Sequence, residues 1–161
     1  MIVVFGASGN TGGAASRSLL ARGKSVRAVG RSRERLSALA ELGAEVVEAD
    51  LQNASDVRRA LGGADAAYLI IPPNMGAPDF RAYQGTVARS LVEGLEGSDC
   101  QSVVLLSSMG AEHEAGTGPI VGLHRLEKSL ASIKDTGVLS LRAGYFMENF
   151  FMAIPGYRRL P

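Results

Sequence analysis

The sequence predicts an α/β fold with a doubly wound parallel sheet, and two patterns carry this prediction. Short apolar runs rich in valine and isoleucine alternate with longer amphipathic stretches, as in strand and helix units around a buried parallel sheet. Because parallel crossovers are right-handed, six strands joined by five helices favour the strand order 3-2-1-4-5-6. A chain of 161 residues with 46% hydrophobic residues can bury one core, so we expect a single domain over residues 1–161.

Periodicity assigns the elements in chain order. Short β-branched or alternating runs predict strands at 2–5, 26–29, 45–48, 66–71, 102–107 and 138–141. Helical spacing of apolar residues predicts helices at 11–22, 33–42, 55–61, 80–96 and 120–136. Asp79 can cap the helix that follows it, and either Asn53 or Ser55 can cap the one before it. The alternation of strand and helix therefore continues without an intervening linker.

Charge and cysteine content exclude several classes of protein. A formal net charge of +1 creates no long-range field that would attract nucleic acid or an acidic membrane surface. Cys100 is the single cysteine, so no intrachain disulfide can form and a reducing compartment is favoured. The first predicted strand starts without a signal segment, and no stretch approaches the roughly 20 apolar residues of a membrane helix. We expect a cytoplasmic protein without a metal site that binds neither nucleic acid nor membranes.

The first predicted strand is followed by a glycine-rich run, Gly6-Ala7-Ser8-Gly9-Asn10-Thr11-Gly12-Gly13. A strand that turns sharply into a helix directs backbone N–H groups and the positive end of the helix dipole at one point, where a pyrophosphate can bind. Glycine permits the tight turn, the close approach of the ligand and the packing of the helix on the sheet. Chance could produce this spacing among 20 glycines, but the position between strand and helix favours nucleotide binding. The predicted cofactor-binding residues of this run are Gly6, Ser8, Gly9, Asn10, Thr11 and Gly12.

The residue after the second predicted strand indicates which dinucleotide is bound. NAD-preferring sites usually place an acid about 20 residues past the glycines, where it accepts hydrogen bonds from the ribose hydroxyls. Here Arg31 occupies that place, and its guanidinium can contact the 2′-phosphate of NADP(H) through a bidentate fork. Arg33 and Arg35 can assist it, although both could equally face solvent. We therefore predict NADP(H) as the cofactor.

The glycine spacing resembles that of the extended and atypical short-chain dehydrogenases/reductases. More narrowly, the run from Gly6 to Gly12 resembles the NmrA-like family, which includes NADPH-dependent quinone reductases and redox-sensing regulators. Residues 141–150 resemble a hallmark of that family, with Ala143 where the family tends to have proline. The resemblance spans almost the whole chain and implies a Rossmann fold. In the family this segment leads into a C-terminal portion that closes the substrate pocket, and because the chain stops at Pro161 we expect that portion to be lacking.

The resemblance also assigns residues after the third and fourth predicted strands. Asp50 and Leu51 match the acid and apolar pair that contacts the adenine in short-chain dehydrogenases, although Asp50 could equally cap a helix or turn. The run Ile70-Ile71-Pro72-Pro73 would flank the nicotinamide, although its apolar character is also that of sheet core. Asp50, Leu51, Ile71 and Pro72 complete the predicted cofactor site.

The usual catalytic motif of short-chain dehydrogenases, Tyr-x-x-x-Lys, is missing, since none of the four tyrosines has a lysine four positions later. Where it would be expected, His124 and Glu127 resemble residues of NmrA-like proteins, and His124 would orient substrate or cofactor. A surface histidine beside an ion pair is the competing interpretation. Ser107 ends the fifth predicted strand, where the family's catalytic serine lies, although serines at strand ends often only form local hydrogen bonds. His124 and Ser107 are the candidate catalytic residues.

Three functional hypotheses follow. The leading one is an NADPH-binding oxidoreductase-type domain that transfers hydride to a small molecule, such as a quinone. A quinone accepts hydride readily and its oxygen can take a proton from water, so a strong protein acid is less needed. The second is a non-catalytic NADP(H) sensor, and the third is a fragment that has lost both tasks. A homodimer through the long fourth helix is possible, although its apolar face is explained equally well by packing on the sheet.

Overall fold

The computed structural model describes residues 1–153, which form a parallel sheet with helices on both faces. The strands are β1 (Ile2–Phe5), β2 (Val26–Gly30), β3 (Glu45–Glu48), β4 (Ala66–Leu69), β5 (Ser102–Ser108) and β6 (Gly137–Ala143). The α-helices are α1 (Asn10–Ala21), α2 (Ser37–Glu41), α3 (Ala54–Leu61), α4 (Phe80–Glu96) and α5 (Val121–Ala131). Short 3-10 helices span Glu34–Leu36, Gly118–Ile120 and Met147–Ala153. Residues 154–161, which include the predicted end of the domain at Pro161, lie outside the described residues.

The strand order is 3-2-1-4-5-6 with every pairing parallel, which confirms the predicted fold class. Ile2 of β1 pairs with Val26 of β2 on one side and with Ala66 of β4 on the other. The order of the strands therefore reverses at β1. In open parallel sheets, ligands bind beyond the carboxyl ends of the strands at this reversal point.

The two faces of the sheet are covered by different helices. Val3 and Phe5 of β1 are fully buried in a cluster shared with α3, α4 and α5. Val4 lies in a second, smaller cluster on the opposite face, with apolar residues of α1 and α2. This alternation follows from the two-residue repeat of a strand and makes the sheet the centre of two apolar layers. No helix within residues 1–153 combines the length and apolar character needed to cross a membrane.

The observed bounds of several elements differ from the predicted ones. β4 ends at Leu69, two residues before the predicted end, because Pro72 and Pro73 follow closely and have no N–H group for the ladder. α5 ends at Ala131 rather than at residue 136, and Asp135 then adopts a left-handed φ of 62°. The predicted helix over 33–42 is divided into a 3-10 turn and the short α2. α4 has the predicted bounds, and Asp79 caps it by accepting a hydrogen bond from the N–H of Ala82 at 2.9 Å.

Candidate functional site

A cavity of about 440 Å³ lies along the edge of the sheet where the strands end. The loops after five of the strands and Leu106 within β5 contribute to its walls. The lining residues are Gly6, Ser8, Gly9, Asn10, Thr11, Val29, Gly30, Arg31, Arg35, Ala49, Asp50, Leu51, Gln52, Ile70, Pro72, Pro73, Tyr83, Leu106, Phe146, Glu148 and Asn149. Because the strand order is 3-2-1-4-5-6, these contributions follow one another along the edge from β3 to β6. The cavity is therefore an elongated groove with the glycine loop near its middle.

The glycine loop needs its glycines for three separate reasons. Gly6 has a left-handed φ of 66°, which a residue with a side chain rarely adopts. A Cβ on Gly12 would stand 2.4 Å from the carbonyl oxygen of Gly6, so this glycine lets α1 pack against the loop. A Cβ on Gly9 would stand 3.3 Å from the same oxygen, a tight but less severe contact. Gly6 and Gly9 line the cavity, whereas Gly12 lies behind it and supports the turn.

The amino end of α1 opens towards this cavity. Gly9 is the N-cap residue and provides no side-chain hydrogen bond, and the first turn contains no acidic residue. The first backbone N–H groups of the helix are therefore left without a side-chain acceptor. Together with the positive end of the helix dipole, they form a site that favours an anion. Asn10 and Thr11, the first two residues of α1, also line the cavity.

The four clustered arginines divide into two structural ones and two that line the groove. Arg27 donates to Glu45 at 2.9 Å and to the carbonyl oxygens of Ala60 and Gly62 at 2.6 and 2.7 Å. The guanidinium of Arg33 donates to a backbone carbonyl of β3 at 3.3 Å. Arg31 and Arg35 line the cavity, and neither has an ion-pair partner among the residues that the structure describes. Arg31 and Arg35 therefore face the groove beside β2, and Glu48, Asp50 and Asp56 lie with Arg31 around a neighbouring pocket.

The end of β3 contributes Asp50 and Leu51. One oxygen of the Asp50 carboxylate accepts a hydrogen bond from the N–H of Gln52 at 2.9 Å, and the N–H of Asp50 donates to Asp56 at 2.9 Å. Asp50 thus caps a turn, as its alternative interpretation proposed, and it also lines the cavity. Leu51 is buried in the core beneath the groove, with one surface at the cavity wall.

The end of β4 presents an apolar wall. Ile70, Pro72 and Pro73 line the cavity, whereas Ile71 packs against the large apolar cluster. Successive residues of an extended chain point in opposite directions, so only one of the two isoleucines can face the groove. Of the two isoleucines that the sequence suggests for this wall, Ile70 therefore faces the groove and Ile71 does not, and the Cγ2 of Ile70 lies against Gly6.

The candidate catalytic serine is buried and belongs to a hydrogen-bonded network that reaches the surface at Arg142. Ser107 is 4% exposed, and its hydroxyl donates to Oε1 of Glu127 at 2.5 Å. Arg142 of β6 donates to the two carboxylate oxygens of Glu127 at 3.1 and 2.6 Å. The Arg142 guanidinium holds the pKa of Glu127 below its ordinary value, and the Ser107 hydroxyl adds to this effect. Ser107 does not line the cavity, although its neighbour Leu106 does.

His124 is held away from the groove. Its side chain is on α5, the residue is 8% exposed, and Nδ1 lies 2.8 Å from the carbonyl oxygen of Ala111. Because a carbonyl oxygen can only accept, Nδ1 carries the proton and Nε2 is left as an acceptor. Nε2 is buried and has no hydrogen-bond partner among residues 1–153. The predicted cofactor residues therefore line the cavity except for Gly12 and Ile71, whereas His124 and Ser107 are not part of its lining.

The cavity also includes residues outside the predicted set. Tyr83 in the first turn of α4 lines it, and burial raises the pKa of this phenol while the charge of Arg31 opposes the rise. Phe146, Glu148 and Asn149 come from the segment after β6. Strand order could have indicated these last three, because they follow the carboxyl end of the outermost strand. For Tyr83 the sequence carries no comparable signal.

Known proteins share this architecture. The chain is 31% identical to an NmrA-like family domain-containing oxidoreductase, cpsB, of Aspergillus campestris over 93% of this chain and 48% of that protein. Its structure superposes on the triphenylmethane reductase of a Citrobacter species with a TM-score of 0.81 at 22% identity, over 92% of this chain and 50% of that one. An NADPH-dependent quinone oxidoreductase of Escherichia coli, solved with NADPH, gives a TM-score of 0.81 at 22% identity, over 95% and 52%. At this identity the two solved structures show the fold alone.

The chain spans about half the length of these relatives. The profile of the family described as NAD(P)H-binding matches residues 6–135, from the first glycine of the loop to the turn before β6. The resemblance to NmrA-like oxidoreductases is confirmed by the curated relative. Since the matched residues make up most of the sequence, the chain belongs to the NAD(P)H-binding family.

Proposed function

We propose that this chain binds NADP(H), in preference to NAD(H), in the groove along the sheet edge. The observation that carries the proposal is the pair Arg31 and Arg35, two cations without acidic partners in the described chain, beside a glycine turn that a Cβ at Gly9 or Gly12 would crowd. A phosphate group in the groove could accept charge-assisted hydrogen bonds from both guanidinium groups. The residues present therefore fit a phosphorylated dinucleotide.

Each part of the groove suits one part of that cofactor. The turn at Gly6 and Gly9, with the open end of α1, would hold the pyrophosphate through backbone N–H groups. Arg31 and Arg35 would hold the 2′-phosphate, and Asp50 with Leu51 would border the adenine. The apolar wall after β4 would flank the nicotinamide, with Ile71 supporting it from the core.

We further propose that the groove serves an oxidoreductase that acts on a small molecule such as a quinone. NADPH supplies a hydride when bound. Reduction of a quinone to a hydroquinone consumes that hydride and one proton, and leaves NADP⁺. The apolar wall at Ile70, Pro72 and Leu106 would exclude water from one face of the site, while the open side would let water provide the proton.

A second candidate, an NADP(H) sensor, is favoured by the state of the candidate catalytic groups. The hydroxyl proton of Ser107 is committed to Glu127, and the Nδ1 proton of His124 is committed to Ala111. Neither of these bonded protons is available to a substrate, and neither side chain lines the cavity. A protein that binds both redox forms of the cofactor and consumes neither would need no such donor.

A calorimetric titration of the purified chain with NADPH and with NADH tests the binding proposal. We expect clearly tighter binding of NADPH, and equal affinities or no binding would contradict the proposal. Addition of menadione then separates the two candidates. An oxidoreductase will consume NADPH, as followed by its absorbance, whereas a sensor will leave the NADPH concentration unchanged while binding NADPH and NADP⁺ with different affinities.

A further inference from the structure

A second, smaller cavity lies between α4 and α5. It has a volume of about 50 Å³, and its lining includes Arg81, Gln84 and Gly85 of α4, Gly118, and Gly122 and Arg125 of α5. None of these residues lines the groove. Since one water molecule takes up roughly 30 Å³, the cavity has room for one small ligand group and not for a nucleotide.

Two guanidinium groups from different helices border this cavity. Arg81 is the second residue of α4, and Arg125 is the fifth residue of α5. Neither forms an ion pair with another residue among 1–153, where the ion pairs involve other basic groups. The nearest acids along the chain are engaged elsewhere, because Asp79 caps α4 and Glu127 bonds to Ser107. Both guanidinium groups therefore keep N–H donors for a ligand.

The two helices also direct their positive ends towards this region. α4 follows β4 and α5 follows β5, and these strands are parallel, so both helices begin at the same edge of the sheet. Neither helix has an acidic residue in its first turn. The helix dipoles therefore add to the positive potential of the arginines.

Gln84 gives the cavity a buried polar side chain. It is 7% exposed, and its Nε2 donates to the carbonyl oxygen of Pro119 at 3.0 Å. A side-chain amide nitrogen carries two hydrogens, so one remains for a ligand. A Cβ on Gly122 would stand 2.6 Å from Oε1 of Gln84, so glycine at this position leaves space for the amide.

We propose that this cavity binds a small oxyanion such as phosphate. Arg81 and Arg125 donate charge-assisted hydrogen bonds to its oxygens, and Gln84 donates the remaining N–H. Guanidinium groups suit this task because their paired N–H donors match the spacing of phosphate oxygens. The ligand is either the free ion or the phosphate group of a larger molecule, and the cavity admits only that group. The site is separate from the proposed dinucleotide groove, because the two share no lining residue.

A titration with inorganic phosphate, followed by NMR of the backbone amides, tests the site. Ionic strength is held constant with chloride, since exposed charges are screened by salt. We expect saturable chemical-shift changes at Gly85, Gly118 and Gly122. A parallel titration with glycerol 2-phosphate distinguishes the sources, because tighter binding of phosphate assigns the free ion and tighter binding of the ester assigns a phosphorylated ligand. Absence of saturable changes at these glycines with both probes would overturn the proposal.

Substitutions of the arginines test the contacts. The double variant Arg81→Gln and Arg125→Gln should weaken phosphate by about tenfold at this site. Arg89→Gln is the matched control, because it removes a charge from an exposed position of α4 outside both linings and should change the affinity little. Phosphate-induced shifts at Gly9 in the groove should persist in the double variant, so a failure of this site is distinguishable from a failure of the proposed function. Unchanged affinity in the double variant, or an equal loss in Arg89→Gln, would overturn the proposal.

Discussion

The hydroxyl of Ser107 donates to the carboxylate of Glu127 across 2.5 Å, at the point where β5 passes beneath α5. Arg142 of β6 holds the same carboxylate from the other side. One ionised glutamate therefore joins three elements of the fold. Ser107 can offer its other neighbours only an acceptor while this bond is intact.

Replacement of Glu127 by Gln should lower the free energy of unfolding at neutral pH, because the charge-assisted bonds to Arg142 are weakened and solvent screens them only in part. The pKa of Glu127 is lowered in the folded protein, so its contribution is present above the ordinary glutamate value of about 4.3 and is lost as pH falls through the folded pKa. The difference in unfolding free energy between wild type and variant should therefore disappear at acidic pH. Urea unfolding at neutral pH and at about pH 3 measures this difference in unfolding free energy. A difference that does not change with pH would contradict this role.

Substitution of Arg31 by Ala should weaken NADPH by ~1.5–3 kcal/mol and NADH much less, because only NADPH carries the 2′-phosphate. Arg35→Ala should act in the same direction. Arg33→Ala provides the matched control, since its guanidinium binds a carbonyl of β3 and is not part of the cavity lining. Calorimetric titrations of the three variants with both cofactors decide the matter, and equal losses for NADPH and NADH would remove the phosphate assignment.

Gly12→Ala should mainly destabilise the fold, whereas Gly9→Ala should mainly weaken cofactor binding. The new Cβ at residue 12 would stand 2.4 Å from a backbone carbonyl oxygen, so Gly12→Ala should destabilise the fold by about 1–3 kcal/mol. Gly9→Ala should destabilise it less, because its Cβ contact is 3.3 Å, yet it should weaken both cofactors by crowding the turn. Thermal unfolding and titration of each variant test this difference. Full cofactor affinity in Gly9→Ala would mean that the turn does not approach the ligand.

Two replacements of His124 distinguish its nitrogen atoms. Asn places an N–H donor near the position of Nδ1 and should preserve the bond to Ala111, whereas Gln places its amide nearer to Nε2 and should lose it. We expect His124→Asn to retain more of the unfolding free energy than His124→Gln, by about 1 kcal/mol. Denaturant unfolding gives the comparison. The reverse order of stability would show that Nε2, rather than Nδ1, makes the important contact.

The sequence predicted the sheet because each strand carries its own signal. β-branched runs such as Ile2–Phe5 recur at regular spacing, and right-handed crossovers leave few ways to arrange them. The glycine turn was also predictable, since Gly6 and Gly12 are needed for backbone geometry rather than for contacts with distant residues. Sequence patterns predict a segment best where steric contacts within that segment determine its backbone conformation.

The sequence could not predict contacts between distant segments. Nothing near Arg33 indicates that it binds β3 while Arg35 faces the groove. The choice between Ile70 and Ile71 depended on where β4 ended, and that end was set by the prolines that follow. The bond between Ser107 and Glu127 joins residues 20 positions apart, so its existence depends on how α5 lies across β5.

The division of labour among the arginines has a consequence for how this protein could evolve. Arg27 and Arg33 form hydrogen bonds to β3 and, for Arg27, to the loop after α3, whereas Arg31 and Arg35 line the groove. In the proposed assignment, cofactor choice and folding therefore depend on different side chains of one short stretch. A lineage could replace Arg31 with an acid and turn towards NAD(H) without disturbing the framework beneath, and an engineer could follow the same route.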